Sequence, residues 1–86
     1  MKKATKAVKQ QIVVVQAGWV FVGEPSYDGD HLVLNNCKNI RVWGTNSGLG
    51  QLALHGKQSE TVLDDYGVVR FPKIAVLALI DCQVEL

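Results

Sequence analysis

Ser26-Tyr27-Asp28-Gly29-Asp30-His31-Leu32-Val33-Leu34 holds the turn that decides the fold. An Asp-Gly pair readily takes the positive-φ geometry of a tight hairpin, and this one stands between two apolar runs. The run before it is Trp19-Val20-Phe21-Val22, interrupted by Gly23 and Pro25; the run after it starts at His31. Two antiparallel strands flanking Asp28-Gly29 are therefore the nucleus of the reading.

Outward from that hairpin the chain continues as short strands divided by turn residues. Ile12 to Val15 is a β-branched run broken by Ala17-Gly18, and Ile40-Arg41-Val42-Trp43 follows the polar pair Asn35-Asn36. Next comes the small polar loop Gly44 to Gly48. Leu49, Leu52 and Ala53 then recur at helical spacing, with Ser47 placed to cap a helix of about two turns and Gly56 to close it. Beyond Lys57 to Glu60, strands are expected near Val62-Leu63 or Val68 to Phe71, and from Ala75 to Val84. Pro72 between them suits an edge or a bend. The expectation is a mainly β fold: a small, strongly bent sheet or partly open SH3/Sm-like barrel of five to six strands with one short helix.

The bulk numbers agree with one small domain. A chain of 86 residues buries only about 60% of the surface it exposes when unfolded, so its stability margin is thin. Lys2, Lys3, Lys6 and Lys9 crowd the first ten residues; removing their charge from the net +1 leaves a body of −3. This divides the chain into a flexible basic arm over residues 1–10 and a single β domain over residues 11–86. The arm is suited to a phosphate or an acidic partner. Cys37 and Cys82 are too few and too far apart for a disulfide framework or a zinc site, and both lie in apolar runs, so reduced buried thiols are expected. The start of the chain lacks the apolar segment and cleavage site of a signal peptide. The longest apolar run, Ile74 to Ile80, is far short of a membrane span.

No catalytic set assembles along the chain. His31 directly follows a turn, and His55 falls near the end of the expected helix, where a histidine is commonplace and suits the helix dipole. Asp64-Asp65 reads as a turn before Tyr66-Gly67 rather than as an acid–base pair. Gly48-Leu49-Gly50 lacks the further glycine and the lysine of phosphate-binding loops. Neither a metal site nor a cofactor is expected.

For binding, the segment Arg41 to Gln51 stands out. Arg41, Trp43, Thr45, Asn46, Ser47 and Gln51 combine a cation, an aromatic surface and hydrogen-bonding side chains at a helix start, whose free N–H groups suit an anion. Trp19 and Phe21 share one face of a strand while Val20 and Val22 share the other. Apolar residues on both faces mean that the strand is covered twice, and a second copy of the chain can supply one cover, so a homo-oligomer is expected.

Two resemblances carry further expectations. Ala17, Gly18, Phe21 and Gly23, then Leu34, Asn36, Ile40 and Trp43, then Leu49, Gln51, Leu52, Ala53 and Gly56 match a pattern of small tailed-bacteriophage proteins of unknown function. The match covers the middle half of the chain; Lys38-Asn39 stand where that group has a basic pair. This resemblance implies a phage gene expressed in a bacterial host's cytoplasm. Gly23, Asp28 to Leu34, and Val68-Val69-Arg70 through Ile74 are similar to the two signature blocks of the Sm-like RNA-binding rings. Here Phe71-Pro72 replace the glycine expected after the arginine, and the helical insertion separates the blocks.

Together these readings describe a phage-encoded, non-enzymatic binding protein that counters a host defence. It would block a host defence protein or sequester a small nucleotide signal. Two other readings stand beside it: a nucleic-acid-binding module using the lysine arm with Arg41 and Trp43, and a virion or assembly component.

Overall fold

The computed structural model describes residues 8–86, so Lys2, Lys3 and Lys6 of the basic arm lie outside the described residues. Among the described residues the fold is mainly β: five antiparallel strands form one sheet, with one short α-helix, and the sheet does not close into a barrel. The strands are β1 (Gln11–Val15), β2 (Val20–Asp28), β3 (His31–Val42), β4 (Val62–Pro72) and β5 (Val76–Asp81), and the helix α1 (Leu49–His55) joins β3 to β4. Their order across the sheet is β4-β3-β2-β1-β5.

The hairpin forms where Asp28-Gly29 places it. Asp28 pairs with His31, leaving Gly29-Asp30 as a two-residue loop in which Gly29 takes φ +58°. Elsewhere residues that read as interruptions lie inside strands. β2 runs on through Gly23 and Pro25, and β3 runs on through Asn35-Asn36. Asp64-Asp65 lies inside β4 opposite Asn39 and Lys38, not in a turn, and β4 takes in both segments where one strand was expected.

Two of these interruptions, at Gly23 and at Asn35-Asn36, stand at register shifts, and such bulges explain how one sheet makes two cores. Side chains alternate faces along a strand, so one extra residue switches the pattern. Ile12 and Val22 face one core with Ile40, Leu52, Ala53 and Cys82; Val13 and Phe21 face the other with Leu32, Leu34, Cys37 and Phe71. In β3, Leu32 and Leu34 share a core with Cys37 rather than with Ile40, so the face changes between positions 34 and 37. Asn36, at φ +48°, is the residue that takes the strain. The register also shifts beside Gly23 in β2, and β4 passes Gly67 at φ +83° opposite Cys37. Gly23 cannot carry a side chain: a Cβ there would lie 2.7 Å from Leu34 Cγ and 2.8 Å from the Asn35 carbonyl oxygen.

Thus the double cover of the Trp19–Val22 strand comes from within the chain. Val20 and Val22 lie under α1, and Phe21 lies in the core that the bent strands build on the other face. Of the residues 8–10 assigned to the expected arm, Val8 packs on the helix-side core and Gln10 is buried, so both belong to the β domain. Gln10 is held by residues beyond β5: its Oε1 accepts from Leu86 N–H at 2.6 Å and its carbonyl from Cys82 N–H at 3.2 Å. No described helix is long and apolar enough to cross a membrane.

Cys37 and Cys82 are buried free thiols, one in each core. Burial pushes the Cys37 thiol from its ordinary 9.0 up to about 11. Cys82 also rises to about 11, through burial first and the charge of Asp81 second, against a smaller opposing effect of a backbone hydrogen bond with Ile12. A raised pKa means that the folded state holds these protons where the unfolded chain releases them. Their contribution is therefore complete below pH 9 and is lost as pH rises from about 9 to 11. We expect both thiols to resist alkylation at pH 8 until the chain unfolds, and the urea midpoint to fall steadily across that alkaline window. A thiol that reacts at the same rate in folded and unfolded protein would contradict this.

Candidate functional site

The excursion from β3 to β4 begins at a crossing. Gly44 takes φ +65°, and a Cβ on it would lie 2.4 Å from the Glu60 carbonyl carbon and 2.6 Å from Thr61 N. The returning chain is thus in backbone contact with the departing one. Thr61 is buried and locks the crossing: its Oγ donates to the Trp43 carbonyl at 2.7 Å and accepts from Gln58 N–H at 2.9 Å.

Between these ends α1 lies on the sheet by Leu52 and Ala53. Its cap is not Ser47. Gly48 stands at the N-cap position without a side-chain bond, and the loop is organised from inside the helix by Gln51. Gln51 Oε1 accepts from Asn46 N–H at 3.0 Å and from Ser47 N–H at 2.8 Å, while Thr45 Oγ accepts from Gly48 N–H at 3.0 Å. In a capping box the residue at the third helical position accepts from the N-cap N–H; here Gln51 reaches past the N-cap to the two residues before it, and Thr45 takes the Gly48 N–H. At the other end Gly56, at φ +86°, donates to the Leu52 carbonyl at 2.8 Å, and Gln83 N–H donates to the Ala53 carbonyl at 2.7 Å.

A groove of about 420 Å³ runs along the exposed side of α1, between Asn46, Ser47 and Gln51 at one end and Leu54, His55 and Gln58 at the other. Three of the six residues expected to bind are thus brought together: Asn46, Ser47 and Gln51. Thr45 is spent on the loop itself. Arg41 and Trp43 stand outside the groove. Arg41 Nε sits 2.7 Å from Asp64 Oδ2, and the hydrogen bond and charge of Asp64 hold its guanidinium above its ordinary range. Trp43 is partly exposed. Lys9 is exposed in the segment leading to β1.

Chemically the groove is neutral. Its polar groups are amides, a hydroxyl and one imidazole, set against the apolar side of Leu54, which is 55% exposed. The backbone N–H groups of Asn46, Ser47 and Gly48, just ahead of the helix, are already used by Gln51 and Thr45. With its oxygen so engaged, Gln51 presents only its NH2 donors to a ligand. Leu54, His55 and Gln58 were not among the residues expected to bind. The one available signal was the position of Leu54, which falls off the Leu49–Leu52–Ala53 stripe.

A second exposed surface lies on the opposite face. Phe21 is buried, with its ring 6.0 Å from Trp19, 5.6 Å from Tyr66 and 5.0 Å from Phe71. Trp19 and Tyr66 are about half exposed, so the aromatic core opens to solvent along that side. Among the described residues no three His, Cys, Asp or Glu side chains gather into a metal cage.

Neither a family model nor a curated protein matches this chain.

Proposed function

We propose that this is a phage-encoded, non-enzymatic binding protein that counters a host defence by occupying a surface of a host protein. The observation that carries the reading is the α1 groove: a neutral, amide-rich surface beside an exposed leucine, held open by a backbone crossing and an internal cap. Such a surface recognises the peptide groups and apolar side chains of another protein, with Leu54 as the apolar anchor. The phage resemblance supplies the biological setting. The charge balance argues in the same direction. Three of the nine basic residues lie outside the described residues, leaving six against eight acidic ones, which gives phosphate little attraction to the body.

The groove's volume favours one further reading, since about 300–1,000 Å³ is the span of small-molecule sites. In that reading a small nucleotide signal is sequestered there through its base and sugar edges.

Plating assays on bacteria that each carry one defence system test the proposal. Expression of the protein is expected to raise phage plating on at least one such strain. Native mass spectrometry of the protein recovered from that strain separates the two readings: a bound host protein supports the first, and an added few hundred daltons supports the second. If plating is unchanged on every strain and neither a host protein nor a small molecule is retained, the proposal fails.

A further inference from the structure

β5 ends at Asp81, and among the described residues no strand pairs with the chain beyond it, yet that segment is fixed at both ends. Its root is Cys82, buried in the helix-side core with its N–H on the Gln10 carbonyl. Gln83 N–H then donates to the Ala53 carbonyl at 2.7 Å. The last carbonyls of a helix have no partner inside it, and Gln83 supplies one from outside. Val84 lies against Gly56, where a Cβ would sit 3.1 Å from its Cγ2. Leu86 returns to the core that holds Leu52 and Ala53.

Two side chains close the far end by gripping main chain. Gln10 is only 5% exposed, and it forms a pair of hydrogen bonds with one residue. Its Oε1 accepts from Leu86 N–H at 2.6 Å, and its Nε2 donates to the Leu86 carbonyl at 3.3 Å. Lys38, in β3, donates from Nζ to the same carbonyl at 3.1 Å. Burying an amide is costly unless it is hydrogen-bonded, so Gln10 favours the closed arrangement with both of its polar atoms. Between the two ends Gln83, Val84 and Glu85 are exposed.

We infer that residues 83–86 are a strap that opens and closes together with the C-terminal turn of α1, and that Gln10 and Lys38 hold it shut. Segments with few buried contacts and exposed hydrogen bonds open well before a core does. Opening withdraws the Gln83 donor from Ala53 and Val84 from Gly56, leaving a turn too short to persist alone. That turn carries Leu54 and His55, and Gln58 Nε2 is bonded to the Gly56 carbonyl at 2.8 Å. One end of the groove therefore forms only while the strap is shut; the other depends on Gln51 and the Thr61 crossing. This consequence rests on the groove being the working surface, whereas the strap stands without it. Apparent affinity at the groove then falls in proportion to the fraction of molecules with the strap shut.

Amide hydrogen exchange of the full chain, followed by NMR, tests the strap without any partner. In the wild type the amides of Gln83, Leu86 and Gly56 are expected to share one opening equilibrium, more frequent than that of β2. Urea below the midpoint is expected to change it little, since local opening exposes little surface. Gln10→Ala removes two hydrogen bonds, each worth roughly fivefold, so all three amides are expected to exchange about 25-fold faster. Lys38→Met keeps the apolar stem, removes one bond and is expected to give about fivefold. The telling amide is Gly56, whose N–H is bonded to the Leu52 carbonyl and to neither substituted position. The amides of Ser47 and Gly48, at the other end of α1, are expected to keep their wild-type rates. A Gly56 amide unchanged in both variants overturns the inference, because the strap would then not carry the helix. So does acceleration of Ser47 and Gly48 by the same factor, which means that the chain opens as a whole. None of these readouts depends on plating, so the strap and the groove can fail separately.

Discussion

Gly44→Ala is expected to lower the urea midpoint by about 2 M, the largest single-residue effect in the chain. Two costs combine there. The positive φ of +65° strains any side-chain-bearing residue, by about 1–3 kcal/mol. A Cβ at 2.4 Å from the Glu60 carbonyl carbon also meets backbone, which cannot rotate away as a side chain can. Forcing the strands apart at this crossing adds about 1–3 kcal/mol of overpacking. Against a total of about 5–10 kcal/mol for a small domain, the sum removes a large part of the stability. Trp19 and Trp43 give a fluorescence signal for the unfolding curve. Gly50→Ala is the matched control, because nothing lies within 4 Å of its Cβ position. In a helix that change is expected to stabilise by about 0.5–1 kcal/mol. If Gly44→Ala and Gly50→Ala shift the midpoint alike, the crossing is not as tight as described.

Leu52→Ala is expected to cost about 2–5 kcal/mol and to release α1. Leu52 is fully buried in the core that contains Ile12, Val20, Val22 and Ile40. A helix of seven residues does not persist in water without such packing. The groove depends on α1, so its binding is expected to disappear with the helix. Hydrogen exchange reads the two effects apart: amides of α1 should lose protection before those of β1 to β3. Leu54→Ala, two residues along on the exposed side, should change stability by less than about 0.5 kcal/mol. A Leu52→Ala protein that keeps α1 protected would show that the helix is held elsewhere, by Gln83 and Gly56.

The contrast between Leu52 and Leu54 also shows how far the sequence could be read. Period and turn chemistry were enough for the Asp28-Gly29 hairpin, the mainly β class and the short helix with its glycine stop. Local signals were not enough at Gly23, Asn36 and Gly67. Glycine and asparagine mark turns and bulges alike, because both need the same positive or crowded backbone. Only the pairing partner decides between them. That is why β2 and β3 read as broken runs and proved to be long, continuous strands. Asp64-Asp65 reads as a turn for a related reason: a strand tolerates adjacent acids when Arg41 pairs with one side chain and Lys38 stands across from the other. At the site, Asn46, Ser47 and Gln51 were found from composition, but the direction of the cap was not. A serine before a helix suggests capping by serine, whereas here the glutamine reaches back and takes the backbone N–H groups of Asn46 and Ser47. The rest of the groove comes from Leu54, His55 and Gln58, whose one local signal is that Leu54 falls off the Leu49–Leu52–Ala53 stripe.

The central claim is that the α1 groove is the working surface and that Leu54 anchors its partner. It is tested most directly by plating phage on a responsive defence strain that expresses either the wild type or Leu54→Lys. Leu54 is exposed, so the folded protein should persist, as circular dichroism can verify. Loss of a hot-spot contact of about 2 kcal/mol weakens binding roughly 30-fold. The wild type is expected to restore plating, and Leu54→Lys, at equal expression, is expected not to. Full protection by Leu54→Lys would contradict it and would move the working surface away from the groove, to the exposed aromatic face around Trp19 and Tyr66.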